Sequence, residues 1–345
     1  MKHRTNRVAL GLAALSLVAA ACSSGDGTGA PGMTAAQGGG GVSGQILVSG
    51  SSTVEPISAR VGEEFDAANP GVATAVEGPG TGDGFARFCN GETDISDASR
   101  PIQEEEIANC AAAGVEYVDL HIATDGLSVL TSTENEAVSC LDFGDLYALL
   151  GPESEGFESW SDADRLAAEL LSAGLGGTNA PYPDVPLVIT APGEESGTFD
   201  NFIEQALEDI AEERGQEATS RPDYEASAND NVIIQGISGN PTSLGWVGFA
   251  FFLANQETVT ALDIDGGEGC VTPTEETIAS FEYPLSRPLF IYVKTNDLAE
   301  RPALTAFVDY YLSDEGLANV SEAGYVQLPA AAVDETRAAW EAVRG

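Results

Sequence analysis

The sequence predicts an α/β protein of one or two domains. Strand-like apolar runs alternate with helical patterns over most of the 345 residues, and no tandem repeat interrupts this alternation. In several places a short strand leads into a turn rich in Ser, Thr and Gly, and a helix begins directly after the turn. The second observation bears on function, because the start of a helix offers free backbone N–H groups to an anion.

The first 21 residues are predicted to be a secretory signal that takes no part in the fold. Three basic residues precede an apolar run at 8–21, which is too short to span a bilayer as a stable helix. The run ends at Cys22 in a pattern that resembles a bacterial lipobox, with Ala19 where Leu is usual. The resemblance implies cleavage before Cys22 and lipidation of that residue. The alternative is ordinary secretory cleavage that leaves an unpaired thiol.

Residues 22–44 are predicted to be the lipidated cysteine and a flexible tether, because they are rich in Gly, Ala, Ser and Thr. As a random coil this segment would span on the order of 25 Å, enough to hold a domain above a membrane. We therefore predict an extracytoplasmic protein of the cell membrane, attached to it through the lipid anchor only.

The remaining cysteines are predicted to form two disulfides. They number four, an even count that favours disulfides in an exported chain, and they match no Cys-x-x-Cys metal pattern. We pair Cys89 with Cys110, which lies nearby in sequence, and Cys140 with Cys270, which are then left over. The sequence alone leaves the other pairings open.

The acidic composition excludes some partners. The net charge is −41, and Lys294 is the one lysine after the predicted signal. Nucleic acids and anionic membrane surfaces both require a basic surface, so neither is a predicted partner. Any anionic ligand must be held by short-range hydrogen bonds in a cleft that excludes water.

Four strand-to-helix turns carry the polar residues of a predicted oxyanion site. They lie at residues 50–53, 77–84, 94–101 and 191–198. Each turn alone is an ordinary helix N-cap, but four together are typical of a cradle of N–H and hydroxyl donors. Arg100, in the third turn, can give two parallel N–H bonds to a tetrahedral oxyanion. The alternative for Arg100 is a salt bridge.

The rest of the chain continues the alternation and carries little catalytic signal. Further strands are predicted at 117–122, 127–131, 244–252 and 288–294, and further helices at 141–171, 301–317 and 334–343. His121, the one histidine after the signal, falls in a strand and is predicted to be a core or edge residue. Ser196 lacks a Gly-x-Ser-x-Gly elbow, and metal ligands are not clustered. We predict no catalytic residue, no cofactor and no metal.

From about residue 45 to its end, the chain resembles the PstS family, the substrate-binding lipoproteins of phosphate ABC transporters. The motifs that carry the resemblance are Gly-Ser-Ser-Thr-Val at 50–54, the glycine-spaced run at 80–88, Thr-Asp-Ile-Ser-x-Ala-Ser-Arg-Pro-Ile at 93–102, Asp-Gly at 125–126, and Pro-Gly-x-x-Ser-Gly-Thr-Phe-Asp at 192–200. The resemblance implies a two-lobe type II periplasmic-binding-protein fold with a hinge, which clamps dehydrated phosphate between its lobes. It implies a first lobe at 45–127 plus 247–345 and a second at 128–246.

By position, the resemblance also implies a set of phosphate ligands. Donors are expected from Ser52, Thr53, Thr81, Ser196, Gly197 and Thr198. The chain departs from better-known members at Pro192, where they have Arg, and at Ser99, where they have Asp. We expect Arg100 to supply the missing cation and Asp125 the missing acceptor.

Asp125 would explain selectivity, because monohydrogen phosphate has a proton to donate and sulfate has none. The alternative for Asp125 is a turn residue before Gly126. The predicted function is phosphate binding without catalysis, with inorganic phosphate and the ABC permease subunits as partners. The alternatives are a receptor for another tetrahedral oxyanion and a phosphoester hydrolase.

Overall fold

The computed structural model describes residues 41–136 and 138–345. The predicted signal at 1–21, the lipidation of Cys22 and the tether as far as residue 40 lie outside the described residues. In the part of the chain that is described, no helix is both long enough and apolar enough to cross a membrane.

The described residues form a mixed α/β structure. The strands are β1 Gly44–Gly50, β2 Val72–Glu77, β3 Ile95–Ala98, β4 Tyr117–Ser132, β5 Cys140–Asp142, β6 Val188–Ala191, β7 Glu225–Ala226, β8 Ser243–Gly248, β9 Val259–Ala261, β10 Asp263–Asp265, β11 Cys270–Val271 and β12 Ser286–Lys294. The α-helices are α1 Glu55–Ala68, α2 Thr81–Cys89, α3 Glu104–Ala113, α4 Phe143–Leu150, α5 Asp164–Ala173, α6 Gly197–Phe202, α7 Glu208–Arg214, α8 Asp230–Ser238, α9 Phe249–Asn255, α10 Glu275–Ala279, α11 Pro302–Tyr311, α12 Asp314–Glu322 and α13 Ala330–Val343. A π-helical turn, Ile203–Leu207, joins α6 to α7.

Most strands of the described chain lie in one sheet. Their order is β2-β1-β3-β12-β4-β8-β6-β7, and β9 also pairs with β4. The ends of the sheet are parallel, whereas β12 runs antiparallel to both β3 and β4. A smaller sheet has the order β11-β10-β5. Parallel pairs at each end and antiparallel pairs in the middle divide the sheet into two α/β halves joined through β4 and β12.

The strand β4 belongs to both halves. Sequence analysis predicts two strands, at 117–122 and 127–131, but the structure has one strand of 16 residues. Residues 117–126 pair with β12, and residues 127–130 pair with β8. The Asp-Gly pair that suggests a turn remains in extended structure because β12 pairs with it on one side, at Arg287 and Ser286.

Two large apolar clusters lie on either side of this division. One contains Ile46, Val61, Leu120 and Leu289 together with residues from α11 and α13. The other contains Leu127 and residues from α4, α5, α6, β8 and β10, as far as residue 285. Burial of these apolar side chains is the dominant favourable contribution to each half.

The described cysteines form two disulfides, as predicted. Cys89 is joined to Cys110, which fastens α2 to α3. Cys140 on β5 is joined to Cys270 on β11, the two outer strands of the smaller sheet, which both pair with β10.

The third predicted turn differs from its expected form. Residues 95–98 of the expected turn at 94–101 form the buried strand β3, which pairs with β1. The helix that follows begins at Glu104 with a capping box at Gln103, rather than directly after residue 101. Ser99 and Arg100 are therefore the polar residues of this segment that follow β3 and lie in the loop before α3.

Candidate anion-binding site

The turns after β1, β2 and β3 meet at one edge of the sheet. A Cβ atom built on Gly84 would lie 2.4 Å from the Gly50 Cα atom, and one on Gly78 would lie 3.0 Å from the Ser52 Cα atom. These distances leave no room for a side chain, so the glycines allow the helix starts to approach the first loop closely. Thr81 Oγ1 lies 3.0 Å from the Ser99 hydroxyl and accepts a hydrogen bond from the Ser99 N–H group at 3.2 Å.

The turn before α6 approaches the same place from the other half of the sheet. A Cβ atom built on Gly197 would lie 3.8 Å from the Ser52 carbonyl oxygen and 3.9 Å from the Ser52 hydroxyl. The hydroxyl of Ser196 accepts a hydrogen bond from the Thr198 N–H group at 3.2 Å, so Ser196 is the N-cap of α6. The predicted donors at 52–53 and 196–198 therefore lie on opposite sides of one cleft.

Arg287, on β12, is the buried cation of this cleft. Its side chain is 10% exposed, and its register partner on β4 is Asp125. Nη2 donates to the Thr53 hydroxyl at 2.8 Å, Nε lies 3.4 Å from Asp125 Oδ2, and Nη1 donates to the Glu204 carboxylate. One guanidinium thus joins the first loop, a central strand and the helical segment that follows the Ser-Gly-Thr turn.

Asp125 is buried in the same group of polar side chains. Its carboxylate is 5% exposed and also accepts a hydrogen bond from the Asn201 amide. The Gln205 amide donates to Asn201 Oδ1 at 2.5 Å, which fixes the Asn201 side chain. Burial raises the pKa of Asp125, while Arg287 and Asn201 favour its ionised form and oppose that rise.

Arg100 is engaged elsewhere. Its guanidinium donates two parallel hydrogen bonds to the Glu106 carboxylate, at 2.9 Å and 2.8 Å, and its Cζ atom lies 5.6 Å from the centre of the Phe85 ring. The hydrogen bond to Glu106 raises the pKa of Arg100. This is the arrangement that the salt-bridge alternative describes.

Pro192, where the family resemblance leads one to expect arginine, has a structural role in its loop. Its carbonyl accepts a hydrogen bond from the Tyr224 hydroxyl at 2.6 Å, and the Tyr224 ring lies 5.9 Å from that of Trp246. The loop before α6 is therefore held by neutral contacts, and Pro192 adds no charge to the cleft.

A cavity of about 350 Å³ opens between the two halves. Its lining includes four predicted ligands, Thr53, Asp125, Gly197 and Thr198, together with Asn201, Asp230 and Tyr325. Burial and the nearby charge of Asp125 raise the pKa of Tyr325, so its hydroxyl stays protonated. The cavity therefore offers hydroxyls, an amide and backbone groups beside the carboxylates of Asp125 and Asp230, with a buried guanidinium bonded to two of its lining residues.

Sequence analysis missed several residues of this group, above all Arg287. A signal was available, because Arg287 directly precedes the apolar run at 288–293 within the strand. A charged residue is seldom placed in a central strand unless a partner compensates it. Asn201 and Glu204 gave no comparable signal, since both fall on a helical segment with many other polar residues.

His121 lies on β4, outside this cleft. The His121 ring packs 5.2 Å from the Phe290 ring, and burial lowers its pKa, so it is a neutral packing residue. Within residues 41–136 and 138–345, no group of His, Cys, Asp and Glu is arranged to hold a metal ion.

Comparisons with known proteins agree on one family. Residues 35–315 match the family model described as a PBP superfamily domain. Protein SphX of Synechocystis is 38% identical over 285 residues, which cover 82% of this chain and 78% of SphX. The phosphate-binding protein PstS of Staphylococcus haemolyticus is 31% identical over 83% of this chain and 82% of its own length.

A solved structure extends the comparison to three dimensions. It is described as a "possible phosphate binding protein" from Planctomyces limnophilus, and it is 35% identical with a TM-score of 0.77. The match covers 88% of this chain and all of the other chain. The predicted two-lobe type II periplasmic-binding-protein fold is thereby confirmed.

Proposed function

The chain belongs to the PstS family of the periplasmic-binding-protein superfamily, and from this premise we propose that it binds inorganic phosphate and delivers it to an ABC permease. The observation that carries the proposal is the convergence of donors from both halves on one cleft, around a buried arginine. Thr53 and Arg287 lie on one side, and Gly197 and Thr198 on the other. Such an arrangement replaces the water shell of a tetrahedral oxyanion with fixed hydrogen bonds. The acidic surface of the protein repels an anion, so binding has to rely on these hydrogen bonds.

We propose Ser52, Thr53, Thr81, Ser99, Ser196, Gly197 and Thr198 as hydrogen-bonding ligands of phosphate. The close approach of Gly197 to Ser52 and the contact between Thr81 and Ser99 support this set. Ser99 stands where better-known members have an acid, and as a neutral hydroxyl it adds no repulsion.

The cation is a separate assignment. Arg100 remains a prediction from the sequence, and the Glu106 carboxylate to which it is bonded does not line the cavity. We propose Arg287 in its place, because its guanidinium contacts Thr53 and Asp125, both of which line the cavity.

Asp125 is the proposed acceptor for the proton of monohydrogen phosphate. Burial raises its pKa, and the charge of Arg287 and the hydrogen bond from Asn201 oppose that rise. Sulfate has no proton to donate, so its oxygens would face this carboxylate without a hydrogen bond, and the unpaired contact would exclude it. The turn-residue alternative does not explain the burial of Asp125 or its contact with Arg287.

We propose that lobe closure brings the two sides of the cleft together around the ligand. The predicted lobes, 45–127 plus 247–345 and 128–246, remain a prediction. We would move the second boundary from residue 247 to about residue 286, because Phe249 and Leu285 pack in the apolar cluster of Leu127, whereas Leu289 packs in that of Ile46.

We also propose that the protein is a lipoprotein with no catalytic role. The lipobox-like pattern at Cys22 supports a lipid anchor, with the signal cleaved before it. The PstS relative is a phosphate-binding protein by name and the Planctomyces limnophilus structure a possible one, which supports a receptor rather than an enzyme.

Calorimetry with the purified protein tests the central proposal. Phosphate should bind with one site per chain, and sulfate at the same concentration should give no heat of binding. Equal binding of sulfate, or no binding of phosphate, would refute the proposal. Hydrolysis of a chromogenic phosphoester by the clean protein would favour the hydrolase alternative instead.

A further inference from the structure

The buried Arg287 is shared by two carboxylates that differ in freedom. Asp125 is 5% exposed and is fixed by the Asn201 amide, whereas the side chain of Glu204 is 54% exposed. Both are bonded to the same guanidinium, Asp125 through Nε and Glu204 through Nη1. Glu204 can therefore leave Arg287 for solvent at small cost, and Asp125 cannot.

The charges of this trio matter for an anionic ligand. One guanidinium and two carboxylates carry a net charge of −1 before any ligand enters. Monohydrogen phosphate adds two negative charges, and in a cleft that excludes water their repulsion with both carboxylates is strong. Binding is easier when one carboxylate moves away as the ligand arrives.

We propose that Glu204 is an internal counter-anion, which occupies Arg287 in the ligand-free cleft and is displaced when phosphate binds. This inference rests on the proposed phosphate function and adds to it a residue that sets affinity. A protein whose binding-competent state is only partly populated binds its ligand more weakly in proportion to that population. Glu204 lowers the apparent affinity for phosphate in this way. Anions that bind Arg287 less strongly than phosphate would not displace it.

The position of Glu204 in the chain suits this role. It lies in the π-helical turn Ile203–Leu207, directly after α6, and π-helical turns often occur at functional sites. Asp200 and Glu208 lie one turn before and after it. Burial raises the pKa of both residues, and the negative charge of Glu204 raises it further. Glu204 is the member of this acidic row that reaches Arg287.

The test compares Glu204→Gln with Glu208→Gln by calorimetric titration with inorganic phosphate. Both variants remove one negative charge from the same helical segment, so the change in the field of the whole molecule is matched. Because the competitor is gone, Glu204→Gln should bind phosphate about 10-fold more tightly than the wild type. Glu208→Gln should stay within about 2-fold of the wild type, since it has no contact with Arg287.

The outcomes separate the two proposals. If Glu204→Gln binds phosphate no more tightly than Glu208→Gln, Glu204 is not a competitor. If it binds more weakly, Glu204 orients Arg287 for the ligand, and the inference is wrong while the phosphate function stands. If the wild type fails to bind phosphate, the proposed function and the inference both fail.

Discussion

The replacement of Arg287 by lysine is the sharpest test of the proposed binding site. Lysine keeps the positive charge, so Asp125 retains a cation nearby and the fold should persist. However, Arg287 contacts Asp125 through Nε and Thr53 through Nη2, and the single ammonium of lysine cannot occupy both places. The fork of donors is lost while the charge is kept.

The size of the effect follows from those contacts. A hydrogen bond to a charged group contributes about 1.5–3 kcal/mol. Loss of one such bond to phosphate corresponds to an increase in Kd of about 10- to 150-fold, at about 1.4 kcal/mol for each factor of ten. The assay is calorimetric titration with phosphate, after thermal unfolding has shown that the variant is folded.

Arg100→Lys is the matched control. It makes the same chemical change at the other candidate cation, whose guanidinium is bonded to Glu106. We expect its phosphate affinity to change by less than about 3-fold, because neither Arg100 nor its partner Glu106 lines the cavity. A larger loss in Arg100→Lys than in Arg287→Lys would refute the assignment and restore Arg100 as the cation.

Three further predictions concern selectivity, pH and stability. Asp125→Asn should lower the preference for phosphate over sulfate at least about 10-fold in competition titrations, because the asparagine amide can also donate a hydrogen bond to sulfate. An unchanged ratio would show that Asp125 does not accept the proton of phosphate. Burial raises the pKa of Asp97 to about 8, so its native state holds a proton that the unfolded chain has lost above pH 4. The free energy of unfolding should therefore fall with rising pH, by up to about 1.4 kcal/mol per unit between pH 5 and 8, and urea titrations of Asp97→Asn should show a smaller slope; equal slopes would contradict the burial argument. Replacement of both Cys140 and Cys270 by alanine should lower the free energy of unfolding by about 4–5 kcal/mol, since their disulfide closes a separation of 130 residues; a loss below about 1 kcal/mol would mean that it adds little.

Local signals predicted much of the fold. Three of the four Ser, Thr and Gly turns, at 50–53, 77–84 and 191–198, lead from a strand into a helix as predicted, because short polar residues and glycines favour helix starts. The turn predicted at 94–101 instead contains the strand β3. The disulfide pairs were also predicted, since one pair is close in sequence. These features depend on a few neighbouring residues, which the sequence displays directly.

The cation of the site depends on contacts that are distant in sequence. Arg287 is 162 residues from Asp125 and 234 from Thr53, and only the antiparallel pairing of β12 with β4 brings them together. Arg100 was the visible cation because it lies inside a turn motif. Its partner Glu106 is six residues away, at the third position of the next helix, where an acid commonly closes a capping box.

The strand β4 runs through both halves of the sheet, so it lies close to the axis about which the proposed closure would rotate them. Residues 123–126 pair with 286–289 where the chain passes from one apolar cluster to the other. Points close to a rotation axis travel little when two bodies turn about it, and points at the rim travel far. Asp125 and Arg287 lie near this axis, so they would move little during the proposed closure and keep their positions in the cleft. The helix starts around the cleft would move further and bring their neutral donors toward the ligand.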